Sequence, residues 1–279
     1  MQWYFLMNKF FVNPLNFFGT IWIHRNLILD LIKREVATKY KGSFFGLFWS
    51  LVTPILMLAV YTFVFSFVFN ARWGGDGNGS KIEFALLLFS GLMIFNLFAE
   101  CIGRAPGLII ENSSYVKKIV FPLEVLPLVI LGAALAQFLF SFSVWVFFYF
   151  LLIGKLHFYI LLLPVVLTPF LILVSGMTMV MSAIGVYVRD ISQIISVIIT
   201  MTLFLSPIFY PASALPAQFQ ILFSLNPLTI PIESIREVLY FGKFTLLTPL
   251  IYYTVFALCV QIFGFLVFQK LRNGFADVV

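Results

Sequence analysis

Long apolar runs dominate this chain, and its polar residues fall between them in short clusters. Six runs, at roughly 47–69, 84–103, 123–152, 159–186, 191–209 and 246–268, carry almost no charge. Each holds about 20 residues or more, enough as a helix to cross a hydrocarbon core about 30 Å thick. The third and fourth exceed that minimum, so they tilt or protrude. Pro54, Pro127, Pro164 and Pro169 lie within or near spans and predict kinks, tolerable where neighbours take up the freed carbonyls. Continuous runs in place of short alternating segments exclude a closed β-barrel. The pattern therefore predicts an all-α polytopic membrane protein with six transmembrane helices. Composition agrees: 62% of residues are hydrophobic and 10% charged, with a mean hydropathy of +1.07. Residues 1–20 lack the uninterrupted apolar core and small-residue cleavage site of a secretory signal.

Charge then orients the bundle. With both termini inside, twelve of the 17 Lys and Arg residues fall on the cytoplasmic side, as the positive-inside rule demands. The chain divides into a cytoplasmic N-terminal region (1–46), a six-helix domain (47–268) and a cytoplasmic tail (269–279). Before the first span, Ile21, Leu27, Ile28, Leu31, Ile32 and Val36 cluster on one side of a helical pattern. Asn26, Asp30, Lys33 and Arg34 populate the other, so this amphipathic helix lies at the inner interface, basic side toward anionic headgroups. Between spans two and three, Pro106 and Gly107 break the chain. Asn112 or Ser113 caps a short helix running through Lys118, and Pro122 stops it. Such a capped helix is a rigid knob projecting into the cytosol, and Glu100 and Arg104, four apart, pair at its base. "VYVRDI" (186–191) forms a tight inner turn at Arg189 and Asp190. On the other face, the glycine-rich "NARWGGDGNGSKIE" reads as a flexible loop, and its "NGS" triplet carries no weight.

The segment between spans five and six is the least ordinary. Its prolines at 207, 211, 216, 227 and 231 forbid a continuous helix, yet it is too apolar for a solvated loop. An apolar piece (215–225), a turn at "NPL" and a second short helix, "IPIESIREVLYFG", describe a re-entrant external hairpin over 206–245. Interrupted backbone survives at membrane depth only beside protein or a wet cavity, so the hairpin lines the outer mouth of a pathway. The spans carry no ionisable group near their centres, unlike proton- or sodium-coupled carriers. Aromatics are plentiful instead, with 36 Phe, 11 Tyr and 5 Trp. Cys101, Cys259, His24 and His157 stand isolated, without metal-ligand or triad spacing, and both cysteines read as small buried hydrophobes. There is no phosphate-binding loop, so nucleotide energy must come through a partner.

Four ordered motifs carry a family resemblance: "LIKREVATKYKGSFFGLFWSLVTPILMLAVYTFVFSFVF", "ENSSYVKKIVFPLEVLP", "VYVRDI" and "LSPIFYP…LP…LNPLTIPIESIRE". Over roughly 20–245 the chain resembles the membrane subunit of type-2 ABC exporters for bacterial polysaccharides, most closely O-antigen exporters, with capsule and teichoic acid exporters nearby. The resemblance implies a homodimeric permease in the bacterial inner membrane, working with two copies of an ATPase subunit that binds ATP and Mg. It implies no cofactor in this chain, no enzymatic activity of its own and no nucleic-acid partner. The cargo would be an undecaprenyl-linked polysaccharide, moved during lipopolysaccharide biosynthesis. Glu111, Asn112, Tyr115, Lys117 and Lys118 would form the coupling helix that docks into the ATPase. Arg25, Lys33, Arg34, Lys39 and Lys41 would form the interface helix and contact the lipid pyrophosphate, although headgroup attraction explains the same charges. Pro207, Tyr210, Pro211, Pro216, Asn226, Pro227, Glu233 and Arg236 would form the external gate. Two rivals stand beside this reading. A type-2 ABC exporter of drugs or small lipids would share the mechanism; a membrane-embedded glycosyl- or acyltransferase would need clustered acids or histidines in a polar loop, which this sequence does not offer.

Overall fold

The structure, a computed structural model, describes residues 16–43, 45–68, 73, 81–117, 121–155, 157–211, 223 and 226–278. Lys118, Pro216, most of the glycine-rich loop and most of the hairpin's first piece lie outside them.

Two helices at the N-terminal side, α1 (Asn16–Ile23) and α2 (Arg25–Lys39), meet at a break at His24. The first apolar run forms α3 (Trp49–Tyr61), continued by a π-helical turn over Thr62–Val68. Next come α4 (Lys81–Arg104), a 3-10 turn over Ala105–Gly107, and the four-residue helices α5 (Leu108–Glu111) and α6 (Ser113–Val116). The remaining long helices are α7 (Val125–Ile153), α8 (Leu163–Tyr187), α9 (Ile191–Leu205) and α11 (Leu247–Arg272). The short α10 (Thr229–Arg236) precedes α11, and α12 (Phe275–Val278) is the last helix among the described residues. No strand occurs among the described residues. Lys81–Glu111, Val125–Ile153, Phe158–Tyr187 and Leu247–Arg272 are long and apolar enough to cross a membrane, and Trp49–Phe65 and Ile191–Leu205 are shorter apolar helices.

The 29 residues of α7 span about 44 Å, well over one hydrocarbon thickness. The fifth run is shorter as helix than its apolar length suggests. Ser206 is extended and Pro207 follows, so α9 stops at Leu205 after 15 residues, about 22 Å.

The four prolines differ in effect. Pro127 and Pro164 fall in the first turns of α7 and α8, where a missing N–H costs nothing. Pro54 and Pro169 lie inside α3 and α8. Pro54 frees the carbonyl of Ser50, and the Gln137 side chain of α7 donates to it at 3.3 Å. This lone amide in an apolar run thus joins α3 to α7.

α4 is the buried centre, with Leu86, Leu87, Leu88, Ile94 and Cys101 almost wholly enclosed. Around it pack α7, α8, α9 and α10. α8 and α11 form the most extensive pair. They approach backbone to backbone at Gly176 and Gly264, where any Cβ would strike the facing helix. Small residues allow such approach in lipid, where apolar burial alone does not drive helices together. Cys101 is buried as expected, whereas Cys259 is exposed on α11, because an apolar surface there needs no protein cover.

Candidate functional site

At one end of the bundle the amphipathic helix and the knob meet. α2 lays Ile28 against Val125 and Val129 of α7, flanked by Leu31 and Ile32. Ile32 sits directly over Gly132, the position at which α7 has no Cβ to hold it off. The predicted apolar side thus finds a protein surface, while Trp22, Ile23 and Leu29 stay exposed.

Four charges lock α2 to α4. Glu35 and Lys39 stand one turn apart on α2, as do Glu100 and Arg104 on α4. Arg104 Nη2 donates to Glu35 Oε1 at 2.5 Å, Arg104 Nη1 lies 3.8 Å from Glu100 Oε1, and Lys39 Nζ reaches Glu100 Oε1 at 2.8 Å. The signs alternate along this ladder, so each charge has an opposite neighbour. The sequence spacing anticipated the Glu100–Arg104 pair but not its two partners from α2, since those contacts join residues more than sixty positions apart. Tyr40 extends the lock by donating to Gln137 Oε1 at 2.7 Å. Burial first, and then the Glu100 carboxylate, push the Tyr40 phenol above its usual range.

Two cavities flank the ladder and share Glu35, Thr38 and Arg104. One of about 320 Å³ is lined by Lys39, Tyr40, Glu100 and Gln137. The other, about 300 Å³, is lined by Arg34, Glu111, Asn112 and Tyr115 beneath the knob.

The knob itself differs from one capped helix. Asn112 breaks it, and its Nδ2 donates back to the Leu108 carbonyl at 2.9 Å, closing α5 instead of opening α6. An amide at a helix end serves either terminus, and here the orphan carbonyl is nearer. Glu111, Ser114 and Lys117 are exposed, while Tyr115 stacks on Phe121 with ring centroids 4.4 Å apart. Arg34 donates to the Tyr115 hydroxyl at 3.5 Å, so the two predicted surfaces touch. The knob's base is fixed from below: Gly185 of α8 lies against the backbone of Pro106, where a Cβ would collide with main-chain atoms.

The five basic candidates of the amphipathic helix are not gathered into one site. Lys39 is held by Glu100, Arg34 faces Tyr115, and Lys33 lies 3.7 Å from Asp30 on the exposed side. Arg25 stacks on the Trp22 ring at 4.7 Å, and Lys41 is exposed beyond the helix end. Arg189 and Asp190 form the exposed turn between α8 and α9. Missed by the sequence reading, the buried Glu124 pairs with Arg272 at 2.9 Å and ties the end of α11 to the start of α7.

The opposite end holds the broken segment. α10 inserts among α4, α8 and α11, with Ile232 and Ile235 fully buried. Asn226 organises the turn: Nδ2 donates to the Leu205 carbonyl at 3.0 Å and to Ser206 Oγ at 2.9 Å, while Oδ1 accepts from Leu228 N at 2.9 Å. Tyr253 donates to the Pro227 carbonyl at 2.9 Å, and Tyr210 to that of Phe204 at 2.8 Å. Pro211 is half-buried. Glu233 pairs with Arg236 at 3.2 Å, and Arg236 is completely buried. The sequence pattern places Glu233, Arg236 and Glu237 together on a polar side; in the structure Arg236 turns inward, because unpaired carbonyls wait there. Glu237 accepts from Thr245 N at 2.7 Å and Leu246 N at 3.3 Å, closing the loop into α11.

A family model described as ABC-2 type transporter matches residues 26–240, from α2 to the turn after α10. The chain belongs to the ABC-2 type transporter family. Among relatives, it is 25% identical over 263 residues to the O-antigen export system permease protein RfbA of Myxococcus xanthus, covering 92% of this chain and 96% of that one. It is 26% identical over 256 residues to the Klebsiella pneumoniae protein of the same name, covering 91% and 95%. The polysialic acid transport protein KpsM of Escherichia coli is 22% identical over 244 residues, covering 86% and 91%. The ABC-2 match embraces both ends described above, the braced knob and the inserted α10.

Proposed function

We propose that this ABC-2 chain is the permease subunit of an ATP-driven exporter that moves a lipid-linked polysaccharide, O-antigen foremost, across the bacterial inner membrane. Two copies enclose the passage, and two copies of an ATPase subunit dock at the basic end, where both termini lie. The observation that carries the reading is the knob, an exposed turn whose base is held by backbone contact at Gly185 and by the charge ladder. A turn so braced passes a push from a docked partner into α4 and α2 as a rigid piece. The near full-length likeness to O-antigen permeases supports the cargo.

α9 supports the paired arrangement. Only Ile195 of this helix is buried, while Ile194, Val197, Ile198 and Met201 are exposed. Beside them Ser192, Ser196 and Thr200 turn their hydroxyls back to carbonyls of the preceding turn. An apolar face beside a self-satisfied polar stripe suits one helix that meets a second copy and also borders a wet passage.

Replacing residues 115–118 with Gly and Ser tests the reading. Surface polysaccharide should be lost while the chain still inserts, and undiminished polysaccharide would refute the knob's role. The likeness to a polysialic acid transport protein favours capsule export as a second reading. Complementation of strains lacking either an O-antigen or a capsule permease separates the two.

A further inference from the structure

An arginine with no solvent exposure is the least expected feature at the end away from the knob. None of the spans carries an ionisable residue at its centre, yet α10 delivers one beside α4. Gly91, which the guanidinium touches, lies ten residues into α4, about 15 Å along its axis. An ionised side chain at such depth persists only where protein groups replace its water.

The replacements are mostly main-chain carbonyls. Arg236 Nε donates to Leu87 O of α4 at 3.2 Å, Nη1 to Pro207 O at 2.5 Å and to Glu233 Oε1 at 3.2 Å, and Nη2 to Ile208 O at 2.8 Å. The Trp73 ring covers the guanidinium, with its centroid 4.4 Å from Cζ. Gly91 leaves the room, since a Cβ there would stand 3.0 Å from Nη2. Pro207 and Ile208 lie just beyond the C-terminus of α9, the negative end of a helix dipole, where a cation is favoured. A lysine, with one compact ammonium, cannot reach three elements at once.

Holding Pro207 and Ile208 also sets the next residue. The Phe209 ring stacks on Phe65 of the first span at 5.2 Å and on Phe204 of α9 at 6.0 Å. Phe65 in turn meets Phe84 of α4 at 5.9 Å, and Trp73 meets Phe84 at the same separation. The guanidinium thus sits beneath a ring cluster that joins the outer ends of the first, second and fifth spans.

We propose that Arg236 is the positioning residue of the outer closure: its clasp on the Pro207 and Ile208 carbonyls places Phe209 in the ring cluster, and α10, the end of α9 and α4 move as one body. This rests on reading the 206–245 segment as the outer end of the passage. The barrier is then the rings and not the hairpin's charges.

The test uses the assembled transporter, this chain with its ATPase subunit, in proteoliposomes without ATP. The readouts are leak of entrapped sucrose and, separately, the ATPase rate. Arg236→Gln and Phe209→Ala should each raise the resting leak about tenfold, the scale of one lost charge-assisted hydrogen bond, with ATPase rates unchanged. Arg236→Lys should fall between them and the unaltered protein. Gly91→Ala keeps the charge but crowds Nη2, so it should leak in the same direction and serves if Arg236→Gln fails to insert. A merely structural role would lower protein yield and ATPase activity together and leave inserted molecules tight. Vesicles of Arg236→Gln and Gly91→Ala as tight as the unaltered protein would overturn the clasp. Replacing Phe65, Phe204 and Phe209 together by Ala tests the underlying reading on its own, because it removes the rings and leaves Arg236 and its carbonyl partners in place. Leak from this triple variant but not from the two clasp variants rejects only the clasp, and a tight triple variant rejects the outer closure itself.

Discussion

Single residues at a few positions set how closely the helices approach. Gly185 lets α8 lie on the backbone of Pro106, and Gly176 and Gly264 let α8 and α11 touch along their main chains. Main-chain atoms cannot move aside as a flexible side chain does, so a methyl group at 185 forces the helices apart. Gly185→Ala should therefore cost about 1–3 kcal/mol, as overpacking does, and should shift the Ala105–Gly107 turn beneath the knob. Thermal inactivation of the detergent-solubilised complex measures the first effect. The second should appear as ATP hydrolysis without matching export. A variant with unaltered stability and export would show that the contact is slack. Gln137 works at the same scale, since the carbonyl freed by Pro54 has its side chain as donor.

Elements are joined chiefly by the ladder between α2 and α4. Its pairs are partly exposed: the Arg104 side chain retains 39% and that of Glu35 34% of full exposure, so solvent weakens each contact. The expected coupling between Glu35 and Arg104 is accordingly modest, about 1 kcal/mol in a double-mutant cycle. Its functional consequence should be larger, because like charges push α2 off the base of the knob. Glu35→Arg alone should reduce export several-fold, and reversing the whole ladder (Glu35→Arg and Lys39→Glu with Glu100→Lys and Arg104→Glu) should restore most of it, because the signs then alternate again. Surface polysaccharide in a permease-deficient strain reports the outcome. Failure of the exchange to rescue, with both variants inserted normally, would show that the ladder does not couple the elements.

For the whole molecule, the unequal spread of charge predicts the side on which each loop lies. In a background lacking Cys101 and Cys259, Lys243→Cys should react with a membrane-impermeant thiol reagent in intact cells. Lys41→Cys and Arg189→Cys should react only after permeabilisation. Mass shift of the labelled chain measures both, and the reverse pattern would invert the topology. The exposed apolar length of α9 belongs to this scale too. It marks a surface that a bilayer or a second copy must cover.

Much of this architecture is local and therefore legible in the chain. Apolar length marks the long helices, Pro106 and Gly107 the break after α4, and the proline spacing the interruption after Leu205. Each depends on a few neighbouring residues. What the tertiary structure alone decided is which apolar surfaces meet protein. Cys101 and Cys259 lie in equally apolar runs, yet one is enclosed and the other exposed. In lipid the core and the outer surface have the same polarity, so the contrast that reveals a soluble core is missing. The long-range polar contacts were hidden for a related reason. Gln137 finds a carbonyl freed by a proline 83 positions away, and Arg236 finds carbonyls on α4 and beyond α9. Nothing in the sequence around either donor announces its acceptor, because a main-chain carbonyl carries no residue identity.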